Sequence, residues 1–310
     1  MIVTLTLNPA IDRTIVVSEI NARDITPVLD NEKDAAGKGI NVAKVLDAVK
    51  EPVCMIGLLA GTRGEWIVDA LEALNVPQHW VMIPGETREN IKVVEQSTHH
   101  VIELNEKGPT VSLDAYSQII ELLDDTLKTD DILVLSGSIP KGLPYDVYHT
   151  LTKRYKALKV NVVVDASNAS LKEAISAHPT AIKPNRYELE MLAGHAFDTD
   201  QAMLEYAQKL TREGIGIVFI SCGADGAYAV TEDAVYFQEP MQVTVQSTVG
   251  AGDAFVAGIA YGLAHQKDVQ TILRKASAFA TASVMTEGTK PGSIAMIDEA
   301  YKNIQIKKVG

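Results

Sequence analysis

Cysteine is nearly absent. Only Cys54 and Cys222 occur in 310 residues, with neither metal-type spacing nor a disulfide framework, which fits a reducing compartment. Cys54 lies in an apolar run and reads as core. Cys222 stands beside glycines, where it can line a pocket without reacting. The seven histidines form no ligand pattern, and His99–His100 read as an exposed turn. No apolar stretch is long enough to span a bilayer. The opening run Met1–Pro9 lacks a basic lead, so no secretory leader is expected and a cytoplasmic location is. Basic charge is in deficit, with 28 Lys and Arg against 40 Asp and Glu, a net −12. That argues against nucleic acid or anionic membrane as the main partner. Anionic ligands would need the basic residues concentrated locally. Repeats and low-complexity tracts are absent too.

What remains is a chain with 46% hydrophobic and 22% charged residues, enough for a sizeable core and too apolar for global disorder. The length predicts one large α/β domain with an accessory piece. Strand-like runs (Ile2–Leu7, Val53–Ile56, 131–136, 160–164, 216–221) alternate with helix-like stripes such as Val42, Val45, Leu46 and Val49, or Tyr116 to Leu127. This pattern predicts a mostly parallel sheet covered on both faces, with ligands beyond the carboxyl ends of its strands. Asn8, Ser136–Ser138 and Asp165 fall at such ends. Two stretches break the rhythm, Arg13–Asp30 and Arg88–Leu104. They read as strands of a small separate sheet, an inserted lid.

The most informative run is Gly250-Ala251-Gly252-Asp253, ahead of the small apolar residues Ala254 to Ile259. Free backbone N–H groups at such a helix start suit a phosphate. Asp253 would repel that phosphate but can take a proton from a hydroxyl attacking it. The plain alternative is a capped glycine turn.

Other segments carry chemistry less securely. Gly37-Lys38-Gly39 with Asn41 brings close backbone, a cation and an amide to a helix entry, without Walker spacing. Asp12 can accept two sugar hydroxyls or simply sit in a turn. Arg88 can hold a substrate phosphate from the lid or lie solvated on a strand. Asn185 and Glu188 share one face of a helix start, where hydrated Mg²⁺ or a capping box would both fit. Ser221 to Gly226 ends a strand and opens a hairpin over Ala227–Phe237; its glycines let a base or ribose lie flat, or make a plain turn. Gly57 to Gly64 is a loose lookalike of a dinucleotide turn, read as structural or substrate-side backbone.

Taken in order, these residues resemble the ribokinase-like, phosphofructokinase-B family of sugar kinases. The set is Asn8-Pro9 with Asp12, Gly37-Lys38-Gly39 with Asn41, Thr87-Arg88, Ser136-Gly137-Ser138-Ile139-Pro140, and Lys183-Pro184-Asn185 with Glu188. Ser221-x-Gly223-x-x-Gly226 and Thr248-Val249-Gly250-Ala251-Gly252-Asp253 complete it. The resemblance runs from the first strand to Gly288-Thr289. It implies a three-layer α/β sandwich, with a mostly parallel central sheet and a small β-sheet lid formed by about 12–35 and 86–106. It also implies ATP with Mg²⁺, and a homodimer joined through the lids.

By that resemblance Asp253 is the catalytic base, with Gly250, Ala251 and Gly252 around the transferring group. Asp12, Gly37, Lys38, Gly39, Asn41, Arg88 and Ser138 hold the sugar. Lys183, Asn185, Ser221, Gly223, Gly226, Thr248, Gly250 and Gly252 hold the nucleotide, and Asn185 and Glu188 the metal. Lys38, Arg88 and the Ser138-Ile139-Pro140-Lys141-Gly142 run point to the phosphosugar branch. Within it 1-phosphofructokinase comes first, tagatose-6-phosphate kinase close behind and 6-phosphofructokinase third. Two departures stand out. Ala36 replaces a frequent glycine, which matters only if that position needs a positive φ. Ser247 replaces an aspartate linked to a monovalent-cation site, so the resemblance leaves potassium dependence open. A catalytically silent sugar-phosphate sensor and, through Gly57–Gly64, a dinucleotide-dependent oxidoreductase are the competing readings.

Overall fold

The structure is a computed structural model that describes all residues of 1–310 except Ala22 and His99. Half of the histidine pair expected at a turn therefore lies outside the described residues, and His100 is exposed. The chain begins β1 (Ile2–Thr6), β2 (Ala10–Val17), β3 (Val28–Ala36), α1 (Lys38–Ala48), β4 (Val53–Ala60), α2 (Gly61–Leu71), β5 (Gln78–Ile83), β6 (Arg88–Glu95), β7 (Val101–Asn105) and α3 (Leu113–Thr126). It continues β8 (Ile132–Ser136), α4 (Val147–Ala157), β9 (Asn161–Asp165), α5 (Asn168–Ile175), β10 (Ala181–Ile182), α6 (Arg186–Ala193), α7 (Asp200–Arg212) and β11 (Ile217–Ser221). The last part is β12 (Ala227–Val230), β13 (Val235–Gln238), α8 (Ala251–Ala264), α9 (Val269–Val284), α10 (Ile294–Asn303) and β14 (Ile306–Lys308).

Ten strands form the main sheet in the order β14-β13-β12-β11-β10-β9-β8-β1-β4-β5. The run from β11 to β5 is parallel, and β12, β13 and β14 add an antiparallel edge. The inner strands β1, β4 and β8 are buried at every position because both faces are covered. Val3, Leu5, Leu133 and Leu135 point into the core under α3 to α7. Ile2, Ile132 and Val134 point the other way, under α1, α2, α8, α9 and α10. α8 is buried almost all round, with small residues where other helices carry polar ones. It packs on α1, α9 and the strands β1, β8 and β9.

The small sheet runs β3-β2-β6-β7, with β2 and β6 parallel and the outer pairs antiparallel. Its strands overlap the stretches in which the sequence rhythm broke, but β2 begins at Ala10, before Arg13, and β3 runs on past Asp30 to Ala36. Most boundaries of the main sheet shift by a single residue from the sequence reading, and one shifts further. β4 does not stop at Ile56 but runs through Gly57 to Ala60, so the lookalike glycine turn is half strand. Gly57 pairs with Thr6 and has the Trp80 ring against it, which explains a glycine inside a strand.

Candidate active site

Two helices open onto the carboxyl ends of the central strands. α1 starts at Lys38 behind Gly37, and α8 at Ala251 behind Gly250. Gly250 has φ 80°, a left-handed conformation a glycine adopts without strain. Ala36 has no positive φ, so its methyl group is accommodated.

Asp165, the last residue of β9, is fully buried. Its Oδ2 lies 2.9 Å from Lys38 Nζ and its Oδ1 3.3 Å from Lys183 Nζ. Burial opposes its charge, but the two ammonium groups outweigh burial and hold it below the ordinary carboxylate range. Burial likewise opposes the charge of Lys38, and Asp165 and Asp253 more than offset this, so Lys38 titrates above an ordinary lysine. The sequence marks Asp165 only as a polar strand end. It is the hub that joins two sequence-predicted lysines.

Asp253 stands in the first turn of α8, buried, its Oδ2 accepting from Asn41 Nδ2 at 2.7 Å. Burial pushes its carboxyl up to about 6, with Lys38 opposing and Asp165 adding. Such a group can accept a proton near neutral pH. Lys183 Nζ is 3.7 Å from where a side chain on Gly252 would begin. Among the described residues the N–H groups of Gly252 and Asp253 have no acceptor, while Ala251 N–H reaches the Thr248 carbonyl at 3.4 Å. Two free amides, with an ammonium close to Gly252, therefore stand at the helix start that carries the Asp253 carboxylate.

Arg88 and Lys38 meet in one cavity of about 190 Å³, lined also by Asn8, Gly137, Ser138 and Asp165. Asn8 Nδ2 donates to Ser138 Oγ at 3.0 Å, and its own Oδ1 is buried without a partner. Arg88 Nε donates to the carbonyls of Asn8 and Pro9 at 3.3 and 3.4 Å. Burial draws the Arg88 guanidinium below its ordinary pKa, with Asp12 opposing. Asp12 itself lines a different and larger cavity, of about 620 Å³, with Asp34, Asn90, Val249 and Thr289. There it accepts from Asn90 Nδ2 at 2.8 Å, and burial raises its pKa. Asn90 had no signal in the sequence beyond its place on a strand. Gly37 and Gly39 lie against Thr6 at the entry to α1. Thr248 stands in the loop just before Val249.

On the other side, Lys183-Pro184-Asn185 leaves β10 beside Ser221, whose N–H donates to the Pro184 carbonyl at 3.1 Å. Asn185, Ser221 and Gly223 line a third cavity, of about 480 Å³, with Tyr187, Cys222 and Tyr228. Gly226 closes that turn by accepting from Cys222 N–H at 2.9 Å. Burial pushes both thiols, Cys54 and Cys222, up to about 11, which disfavours the thiolate form.

Asn185 and Glu188 form the capping box of α6. Glu188 N–H donates to Asn185 Oδ1 at 2.8 Å, and Asn185 N–H to Glu188 Oε2 at 2.9 Å. The Glu188 charge also supports that of Lys38. Among the described residues no cluster of three or more His, Cys, Asp or Glu could cage a bare ion. The donors fit a cation that keeps its water, with the second Glu188 oxygen outside the capping box. The lookalike turn is no nucleotide site: the Glu86 carboxylate already caps the N-terminus of α2, accepting from Thr62 and Arg63 N–H at 3.3 and 3.1 Å.

Free amides on Gly252 and Asp253, beside an Asp253 carboxyl raised to about 6, fit phosphoryl transfer to a hydroxyl, the chemistry of a small-molecule kinase. Comparison with known proteins identifies the same class. The model of the pfkB family carbohydrate kinases matches residues 5–295, and the chain belongs to that family of ATP-dependent sugar kinases. The tagatose-6-phosphate kinase of Staphylococcus epidermidis is 34% identical over 313 residues, spanning 100% of both chains. Among solved structures, Escherichia coli phosphofructokinase-2 in complex with potassium has a TM-score of 0.92 at 27% identity, covering 97% of this chain and 98% of that one. The tetrameric inhibited form of the same enzyme scores 0.90 at 26% identity, with the same 97% and 98% coverage. ATP and a divalent cation go with the family. Among the described residues no helix is long and apolar enough to cross a membrane.

Proposed function

We propose that this kinase transfers the γ-phosphoryl group of ATP to a hydroxyl of a ketohexose monophosphate, giving a bisphosphate. The observation that carries this is the pairing of Lys38 with Arg88 in one small cavity beside Asp253. An acidic protein has placed two of its few cations where an acceptor's existing phosphate can sit. A neutral sugar would offer no anion to Arg88, which, unlike Lys38 with Asp165, has no ion pair among the described residues.

In this reading Asp253 takes the acceptor hydroxyl's proton, and Asn41 orients the carboxylate. The N–H groups of Gly252 and Asp253, with Lys183, steady charge on the transferring group. Asp12, Gly37, Gly39 and Ser138 hold the sugar. The nucleotide lies along Lys183–Asn185, Ser221–Gly226 and Thr248–Gly252. A divalent cation at Asn185 and Glu188 would neutralise phosphate charge through its bound water. The small sheet is the lid of a single kinase domain, and its outer face is where a second copy joins to make a dimer.

Tagatose 6-phosphate gains weight over fructose 1-phosphate from the full-length relative, and fructose 6-phosphate follows. ADP release should be measured with all three, and with ribose and adenosine. The proposal expects turnover with a ketohexose phosphate and little with the neutral acceptors. Turnover of neutral acceptors alone, or tight sugar-phosphate binding by folded protein without ADP release, overturns it.

A further inference from the structure

Two of the connections between the small sheet and the main domain, residues 84–88 and 105–110, pass on either side of Arg63. At the first, Thr87 is buried and bonded twice to the end of β4: its Oγ1 accepts from Ala60 N–H at 2.8 Å, and its own N–H donates to the Ala60 carbonyl at 2.9 Å. The preceding Glu86 caps α2. Gly61 must be glycine here, because its φ is 61° and a Cβ would fall 2.3 Å from the Glu86 carboxylate. Arg63 ties this connection to the other. Its Nη1 donates to the Thr87 carbonyl at 3.3 Å and to Glu106 Oε2 at 2.8 Å, and its Nη2 lies 3.5 Å from the buried Glu89. Glu106 Oε2 also accepts from Glu89 N–H at 2.9 Å, and the Glu106 carbonyl accepts from Arg88 Nη1 at 3.5 Å. Arg88 lies between Thr87 and Glu89, the two residues these contacts hold, and is itself reached by the Glu106 carbonyl.

We infer that Arg63 is a positioning residue: it clasps both connections of the lid at once and so fixes Arg88 over the acceptor cavity. Arg63 lines a separate hollow with Glu86, Glu106 and Lys107 and is absent from the cavity that Arg88 and Lys38 share. The guanidinium geometry suits the task, since one planar group can serve a carbonyl and two carboxylates together. The glycine run that looks like a dinucleotide turn seats the Glu86 carboxylate and so anchors the first connection. The inference rests on reading Arg88 as the contact to the acceptor's phosphate.

The test uses the full-length chain and the sugar phosphate it turns over best. Arg63→Ala should raise the KM for that acceptor roughly tenfold, leaving kcat and the ATP KM within about twofold. Because Arg63 acts through Arg88, Arg63→Ala combined with Arg88→Ala should be no worse than Arg88→Ala alone, within about twofold. Hydrogen exchange of the unliganded protein supplies a readout that needs no substrate. Amides of β6 should exchange about tenfold faster in Arg63→Ala, while those of α3 stay unchanged. If Arg63→Ala does not fold, Glu106→Gln carries the same readouts with smaller shifts. Additive KM effects, or unchanged β6 exchange in folded variants, overturn the clasp. Faster β6 exchange in a protein that turns over no sugar phosphate leaves the clasp standing and removes the phosphosugar reading instead.

Discussion

Asp165, Asp253, Lys183 and Asn41 are all more than nine-tenths buried, whereas the small sheet that carries Asp12 and Arg88 leaves Val28, Leu29, Ile102 and Leu104 exposed. The first group sits where parallel strands and two helix starts converge under a complete core. The second sits on strands with one protein face at most. In the buried group the neighbouring charges act on the protonation of Asp165 and Asp253, because little water screens them. On the small sheet, position matters more than protonation. The division predicts that substitutions in the buried group change turnover and stability, while those on the small sheet change acceptor affinity.

The largest expected effect tests the hub. Asp165→Asn leaves Lys38 and Lys183 without their counter-charge and should lower unfolding free energy by about 3–5 kcal/mol, read by urea denaturation at pH 7. Since the folded pKa of Asp165 is depressed, its contribution is present above the ordinary carboxylate range and lost as pH falls through the folded value. The gap between wild type and variant should close in acid. A variant as stable as wild type at pH 7 would make the buried group no different from surface ion pairs.

Next in size, Asp253→Asn should cut kcat by roughly two decades or more with ATP affinity largely intact. The same variant should gain stability at pH 7. A carboxyl raised from 3.8 to about 6 in the folded state binds its proton more tightly there than when unfolded. It therefore destabilises the fold as pH rises between those values, and removing the charge returns about 1–3 kcal/mol. Lost turnover with gained stability is a signature that simple misfolding does not produce.

Smaller again, Arg88→Ala should raise the sugar-phosphate KM by about one to two decades and move the ATP KM much less. A larger change in the ATP term would put Arg88 on the nucleotide side and dissolve the contrast between the two halves. The mildest test is the pH profile. kcat/KM should rise about tenfold per unit up to an inflection near pH 6 and then level. An inflection at an ordinary aspartate value would mean that burial does not tune Asp253 in solution.

Much of this was legible locally. Alternating apolar strands and helix stripes announced the parallel sheet, and the interrupted rhythm around Arg13–Asp30 and Arg88–Leu104 announced the small one. Asn185 and Glu188 carry their capping box in their three-residue spacing. Other features were not legible. Gly57 looks like a loop glycine and is a strand residue because Trp80, from the neighbouring strand, lies against it. The Gly57–Gly64 run looks like a nucleotide turn, and nothing nearby in sequence says that Glu86 caps it. Asp165 ends a run of valines much as any strand-end polar residue would.

The sequence by itself determined the kinds of element, their order and the residue types available for phosphate chemistry, because periodicity, capping and helix entry act over a few neighbours. Tertiary structure alone decided that Lys38 pairs with Asp165 across 127 positions and Asn41 with Asp253 across 212. It also decided that Lys38 and Arg88 share one cavity while Asp12 faces another. The reason is physical: a carboxylate's protonation depends on how much water it has lost and which charges stand within a few ångströms. Both are set by segments that meet only when the sheet, α1 and α8 have packed together.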